Sequence, residues 1–536
     1  MNLIDAEDAA ALVQDGWTVA CAGFVGAGHA EAVTSALEQR FVASARPRGL
    51  TLVYSAGQGD RARRGVNHFG HAGMVRAICG GHWRSAPRLM DLALANAVEA
   101  WNLPQGVITH LYRAIAAGQP GLLSRVGLHT FVDPRSHLDP RYQGAALNPR
   151  ALQAQAEGRS RWVEALDFRG EDCLFYPAFP IHCALLRATA ADARGNLSCH
   201  GEPFHHELLA IAQAARNSGG IVIAQVREVV EHHGALAPIR VPGILVDHVV
   251  LCRDAEHHRI TFGETHNQAY LQPWHGDAAV PFVEPPLDAR TLAQRRVVLE
   301  LARRRPQVVN LGVGMPAAVG AMAKAAGLAG FTLTVEAGPI GGTPADGLSF
   351  GASAYPEAVV DQPAQFDFYD GGGIDLAVLG MAELDAAGNV NVSRFGEGDT
   401  ALIAGVGGFI NITQGARALV FMGTLTAGGL QVAAADGRLR IVQEGRLRKL
   451  VPAVSHLSFN AAYVAQRGVP VRYITERAVF EIRNDGDGAP RLTLTEIAPG
   501  IDLQRNVLDV CAGPVAVAQD LVMMDARIFS AEPLRL

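Results

Sequence analysis

Residues 332–341, TLTVEAGPIG, restate residues 51–59, TLVYSAGQG, and set Glu336-Ala337-Gly338 against Ser55-Ala56-Gly57. Each copy opens with alternating β-branched and apolar residues, 332–335 in the second, which reads as a strand. Each then breaks into glycines, which permit turns and close ligand approach. Upstream, GFVGAG at 23–28 answers LGVGMP at 311–316, and each is followed by a helical pattern, HAEAVTSALEQRF and AAVGAMAKAAG. Downstream, DARGNLS at 192–198 answers DAAGNVNVS at 385–393, with the strands GGIVIAQV from 219 and ARALVFMG from 416 behind them. The order of elements is the same twice, so the chain reads as two related α/β halves.

Short apolar strands alternating with helices predict open, parallel, doubly wound sheets that bind ligands beyond the carboxyl ends of their strands. The expected division is 1–280 and 290–536, with the seam in HGDAAVPFVEPPLDART, extra sequence at about 60–180, and Glu336 in the second domain. If the halves face one another, their glycine loops line one cleft. Only one half carries a carboxylate at the matched position, since Ser55 stands opposite Glu336.

Composition narrows the function. The 536 residues are 49% hydrophobic and 18% charged, which suits a multidomain globular protein. A net charge of −6, with no aromatic-interleaved basic stripe, gives no footprint for nucleic acid. Lys324 and Lys449 are the only lysines, which makes Schiff-base chemistry a poor expectation. The seven cysteines form no CxxC pair, the first residues lack a signal-peptide pattern, and no apolar run reaches bilayer length; a cytoplasmic protein without membrane spans is expected. His200, His205, His206, His232 and His233 lie near Glu202, Glu207 and Glu231, but HHE lacks the HExxH spacing, so no metal is expected. His82 and His110 read as packing or pocket polarity.

A loop glutamate is ordinarily a cap or a solvated side chain. At a strand end, within a glycine surface, Glu336 is instead presented to whatever binds there. An ionised carboxylate is a weak nucleophile that becomes useful against an activated acyl group such as a thioester. Attack gives an acyl-glutamyl anhydride; returning thiolate gives a glutamyl thioester, which a second carboxylate opens. Each step passes through an oxyanion that backbone N–H groups can hold, and AGVGGFIN at 404–411 offers Gly407 and Gly408.

These residues resemble family I CoA-transferases of the acetate or propionate type, related to 3-oxoacid CoA-transferases, over nearly the whole chain. The likeness is carried by GFVGAG, LVYSAGQGD, GVNHFGH, GGHW, NLPQGVITHL and VPGILVD in the first half. In the second it is carried by NLGVGMP, VEAGPIGG, FDFYDGGGIDLAVLG, GNVNVSRFG, GVGGFINI and VMMDARIF. The resemblance implies ping-pong transfer of CoA from a short-chain acyl-CoA to a carboxylic acid, with Glu336 forming the anhydride and thioester. It further implies Gly407 and Gly408 at the oxyanion, and a CoA and acyl pocket lined by Gly23, Val25, Gly26, Gly28, Asn310, Gly312, Gly314 and Gly338. The resemblance also counts Asn389 among the CoA- and acyl-binding residues, although Asn389 and Asn391 in GNVNVS, being asparagines after glycine, read as readily as turn formers as ligand contacts. CoA is then a substrate, no cofactor is needed, and a homo-oligomer is expected. Acyl-CoA hydrolysis through the same Glu336 is the alternative within enzymes; a non-catalytic metabolite-binding regulator is the alternative outside them. The chain departs from the family at His29-Ala30, at CHGEPFHHELL (199–209) and at Tyr355-Pro356, which leaves the donor and acceptor acids unassigned.

Overall fold

A computed structural model describes residues 2–234, 237–273, 282–396, 398, 401–483 and 491–536. The chain forms two compact units. The first takes Met1–His275 together with Val335–Asp367 and Ser393–Asn411; the second takes Gly276–Thr334, Phe368–Val392 and Ile412–Leu536.

The first unit is built on a parallel sheet whose strands run, across the sheet, Asn2–Ile4, His248–Leu251, Ile221–Val230, Cys183–Asp192, Thr18–Cys21, Leu50–Tyr54, Val75–Gly80 and Glu99–Trp101. Thr18–Cys21, Leu50–Tyr54 and Cys183–Asp192 are buried at every residue, as a parallel strand covered on both faces must be. Helices Glu31–Ser44, Gln105–Ala116 and Leu208–Asn217 supply apolar cover.

The second unit repeats this plan. Its strands run Thr332–Thr334, Val308–Leu311, Leu376–Gly380, Leu419–Met422 and Val471–Ile474, all parallel, and continue through Ala478–Arg483, Arg491–Ile497 and Ala516–Met523. Leu292, Val297, Val309, Val378, Val420 and Ile474 share its core. Helix Ala289–Arg304 opens with the Asp288 carboxylate accepting the Thr291 N–H at 2.8 Å and closes at Arg305, φ 50°. The matched strands 50–54, 18–21, 183–192 and 221–230 stand in the same sheet order as 332–334, 308–311, 376–380 and 419–422. The duplication read from sequence is thus a duplication of topology.

Two details differ from expectation. The segment at about 60–180 is not all added sequence: Val75–Gly80 and Glu99–Trp101 extend the main sheet. Only Gly121–Ser124, Glu164–Phe168 and Glu171–Pro177 form a separate antiparallel sheet. The second difference is that Glu336 packs with the first unit, although its sequence repeat lies in the second half. Part of the expected seam, 274–281, lies outside the described residues.

Candidate active site

Strand Thr332–Thr334 ends just before Glu336, and a turn presents the side chain. Val335 donates its N–H to Pro339 O at 2.9 Å and Gly338 donates to Val335 O at 3.0 Å. Gly338 has φ 123°, and a Cβ there would lie 2.0 Å from Val360 O, so glycine is required. The Glu336 carboxylate accepts the Gly408 N–H, yet burial outweighs that bond and raises its pKa to about 7. A Cβ on Gly408 would stand 2.8 Å from Glu336 Oε2 and 3.0 Å from the Phe366 ring.

Neighbouring Gly407 behaves differently from expectation. Its N–H is already given to Gly81 O at 2.7 Å, and its carbonyl accepts the Gln105 N–H at 2.9 Å. Of the two predicted oxyanion donors, therefore, Gly408 faces the carboxylate and Gly407 holds the loop in place. The loop is further fixed by Trp83 N–H to Ala404 O at 2.7 Å and Val406 N–H to Asn102 Oδ1 at 3.0 Å. The sequence motifs GGHW and NLPQGV are thus the frame on which GVGG is mounted. His82 bridges Gly405, and burial lowers its pKa to about 4, so it is a neutral packing group. His110 bonds Pro363 O and Asp367 on the same unit.

One functional candidate escaped sequence reasoning. The Gln105 side-chain nitrogen is buried and has no partner among the described residues, and its Oε1 lies 3.6 Å from where a Gly407 Cβ would be. A buried amide donor left free beside the Gly407–Gly408 loop is a ready hydrogen-bond donor. Its signal was the family-like NLPQG run, in which no single residue stood out.

The first glycine loop leans on Ser55-Ala56-Gly57. Val25 donates to Gly57 O and receives the Gly59 N–H at 2.8 Å, with φ 49°, a strained value for a β-branched residue. Gly23 has φ 142° and Gly28 φ 76°; a Cβ on Gly26 would meet Leu348 O at 2.2 Å. Phe24, Ala27, Ala56, Phe204 and Ala337 belong to one apolar cluster, which brings this loop and the Glu336 turn together.

The remaining predicted residues lie on the second unit. Asn310 is buried and donates to Thr334 O and Tyr369 Oη, both at 3.2 Å. Gly312 donates to Val378 O at 2.9 Å; Gly314, φ 87°, faces open space. Asn389 bonds Asp385 and accepts the Ala461 N–H at 3.1 Å, which occupies both ends of its amide in a turn. Asn391 donates to Glu383 at 2.7 Å.

Within the His-rich segment the side chains of His206 and His233 are buried, whereas that of His232 is exposed. Glu202 is buried against Arg187 and His258, which hold its pKa at about 2 against the effect of burial. Among the described residues no group of three or more His, Cys, Asp or Glu is placed to hold a metal. A cavity of about 340 Å³ lined by His200, His205, Arg240, Tyr270 and Glu357 does not include Glu336. No helix among the described residues is long and apolar enough to cross a membrane.

Residues 3–251 match the family model for coenzyme A transferase. Among curated proteins the chain is 39% identical over 533 residues to the acetate CoA-transferase YdiF of Escherichia coli O157:H7, covering 98% of this chain and 95% of the relative. It is 41% identical over 536 residues to the caffeate CoA-transferase of Acetobacterium woodii, covering 99% and 97%. Among solved structures it matches the YdiF acyl-CoA transferase of E. coli O157:H7 in a thioester complex with CoA. That match has a TM-score of 0.88 and 36% identity, over 100% of this chain and 97% of that one.

Proposed function

The chain belongs to the coenzyme A transferase family and is a CoA-transferase, and from that premise we propose that Glu336 carries the group being transferred. The observation that carries this reading is the Glu336 carboxylate, largely withdrawn from water and facing the Gly408 N–H at the end of a glycine turn. A Glu336 oxygen attacks the acyl-CoA carbonyl, the C–S bond breaks, and CoA leaves as thiolate with an acyl-glutamyl anhydride behind it. The thiolate attacks the glutamyl carbonyl and releases the donor's acid, giving a glutamyl-CoA thioester. An acceptor carboxylate then attacks that thioester, thiolate leaves again, and its return to the new acyl anhydride frees Glu336 and the product acyl-CoA.

On this reading the donors have separate tasks. Gly408 points at Glu336's own carboxyl, so its N–H suits the oxyanion that forms on the glutamyl carbon rather than on the donor's acyl carbon. Gln105 Nε2, buried and free among the described residues, is the candidate for the second oxyanion. Burial of Glu336 serves the reaction twice: a less hydrated carboxylate is a better nucleophile, and excluded water spares the thioester.

The two full-length relatives handle acetate and caffeate, acids of very different bulk. We take the substrates here to be an acyl-CoA and a free carboxylic acid, with a short-chain acyl donor. The test is transfer from acetyl-CoA, propionyl-CoA and a hydroxycinnamoyl-CoA to a matched panel of acids, with Glu336→Ala alongside. Transfer with at least one pair, abolished in the variant, is expected. Equal transfer by the variant overturns the role of Glu336, and thioester loss with no new acyl-CoA formed in any pair makes the protein a hydrolase.

A further inference from the structure

Ser55, the repeat counterpart of Glu336, is not idle: its hydroxyl donates to Glu207 Oε1 at 2.7 Å and accepts Gln362 Nε2–H at 3.0 Å. His206 and Glu207 sit immediately before helix Leu208–Asn217, each 1% exposed. His206 adopts φ 31°, outside the usual range for a non-glycine residue. Its carbonyl accepts the Gln362 N–H at 2.9 Å. Its ring abuts the first glycine loop, where a Cβ on Gly28 would meet Nε2 at 2.1 Å. Two residues before Gln362, Val360 donates to Gly338 O at 3.1 Å, on the turn that carries Glu336. One buried dipeptide therefore grips the Gly28 loop, the Ser55 turn and the segment that braces Gly338.

The grip is costly. Glu207 Oε2, His206 Nδ1, Gln362 Oε1 and the Tyr112 hydroxyl are all buried without a partner among the described residues, and Nδ1 and Oε2 stand 4.0 Å apart. Left-handed backbone and unbonded buried polar atoms both cost stability, and such strain gathers where geometry is held for function.

We propose that Glu207 is a positioning residue for CoA transfer: through Ser55 and Gln362 it fixes the Val360–Gly338 contact and so the aim of Glu336. The proposal rests on the assignment of Glu336 above. Burial pushes the Glu207 pKa up to about 8, so at neutral pH the group is an uncharged acid that can stay dry within the network. The groups facing it reinforce this. His206 is held neutral with a pKa near 3, the Tyr112 phenol is pushed up by burial, Asp361 adds repulsion, and Ser55 and Gln362 carry no charge. Above pH 8 the ionised carboxylate demands water, which the packed site admits only by loosening Ser55 and Gln362.

Full-length wild type, Glu207→Ala, Glu207→Gln and Ser55→Ala are compared for kcat and KM from pH 6 to pH 9.5, with thermal melts confirming folding. Glu207→Ala is expected to lose about 100-fold in kcat, with the acyl-CoA KM within about threefold, as a misaimed nucleophile should. Glu207→Gln, an uncharged isostere that still accepts from Ser55, is expected to recover most of kcat and to lack the wild-type decline above about pH 8. Ser55→Ala should lose kcat in the same sense and keeps the test open if Glu207→Ala does not fold. Wild-type kcat in Glu207→Ala, or an unchanged alkaline decline in Glu207→Gln, overturns the proposal. A wild type that transfers nothing fails differently, by removing the assigned reaction.

Discussion

Burial raises the Glu336 pKa to about 7, and in the proposed mechanism the attacking form is the carboxylate. The sign follows directly: kcat/KM for the free enzyme should rise as pH increases through about 7, and a pH–rate profile flat from 5 to 8 would contradict it. Gly408→Ala puts a methyl 2.8 Å from Glu336 Oε2, which displaces the carboxylate and crowds the Phe366 ring. We expect a loss of about 100- to 1,000-fold in kcat, the scale of losing one oxyanion donor, with the thermal midpoint nearly unchanged. Glu336 stands out as a candidate in the sequence because one carboxylate among many glycines is chemically conspicuous, and the structure buries that carboxylate against the Gly408 N–H. The choice between Gly407 and Gly408 was not, since it turns on whether Gly81 O, more than 300 residues away in sequence, has already claimed an N–H. Gln105 was hidden for the same reason: what marks it is a missing partner, which only packing reveals.

At the scale of elements, the strand–loop–helix units were readable from period and glycine punctuation. The helix after GFVGAG runs Glu31–Ser44, and the strand after the first GN turn runs Ile221–Val230, near where the patterns place them. The loops between them are set by contacts that local pattern does not encode. Gly26 illustrates this, since its φ is ordinary and its constraint is Leu348 O, 2.2 Å from where a Cβ would sit. Gly338 combines both constraints, with φ 123° and Val360 O at 2.0 Å. Gly338→Ala should therefore cost on the order of 2 kcal/mol or more and lower the thermal midpoint as well as kcat. A variant as stable and active as wild type would show that the turn relaxes freely. The strands Val75–Gly80 and Glu99–Trp101 were misjudged as added sequence because their membership of the main sheet is decided by long-range pairing.

For the whole molecule, the repeated strand order shows why internal similarity was the strongest sequence signal: two copies of one topology preserve turn chemistry wherever the backbone requires it. What duplication hides is that two segments of the second half, Val335–Asp367 and Ser393–Asn411, pack with the first unit. The second unit carries its own polar anchor: Glu300, fully buried, bonds Arg303 at 2.7 Å and Arg472 at 2.6 Å and lies against Arg296 and Arg304. These arginines hold its pKa at about 2 despite burial, so its stabilisation is present above the ordinary carboxylate pKa and is lost as pH falls from about 5 to about 2. Glu300→Ala should cost about 3 kcal/mol at pH 7, reduced from the fully buried case because Arg303 is partly exposed, and the gap from wild type should narrow in melts toward pH 3. A gap that stays constant with pH would show that Glu300 acts through packing alone. The central claim, that Glu336 holds CoA covalently, is tested most directly by intact mass after brief exposure to an acyl-CoA substrate, followed by peptide mapping. The account predicts a gain equal to CoA less one water, located at Glu336, discharged by an acceptor acid and absent from Glu336→Ala. CoA transfer at full rate with no such adduct, or with the adduct on another residue, would contradict it.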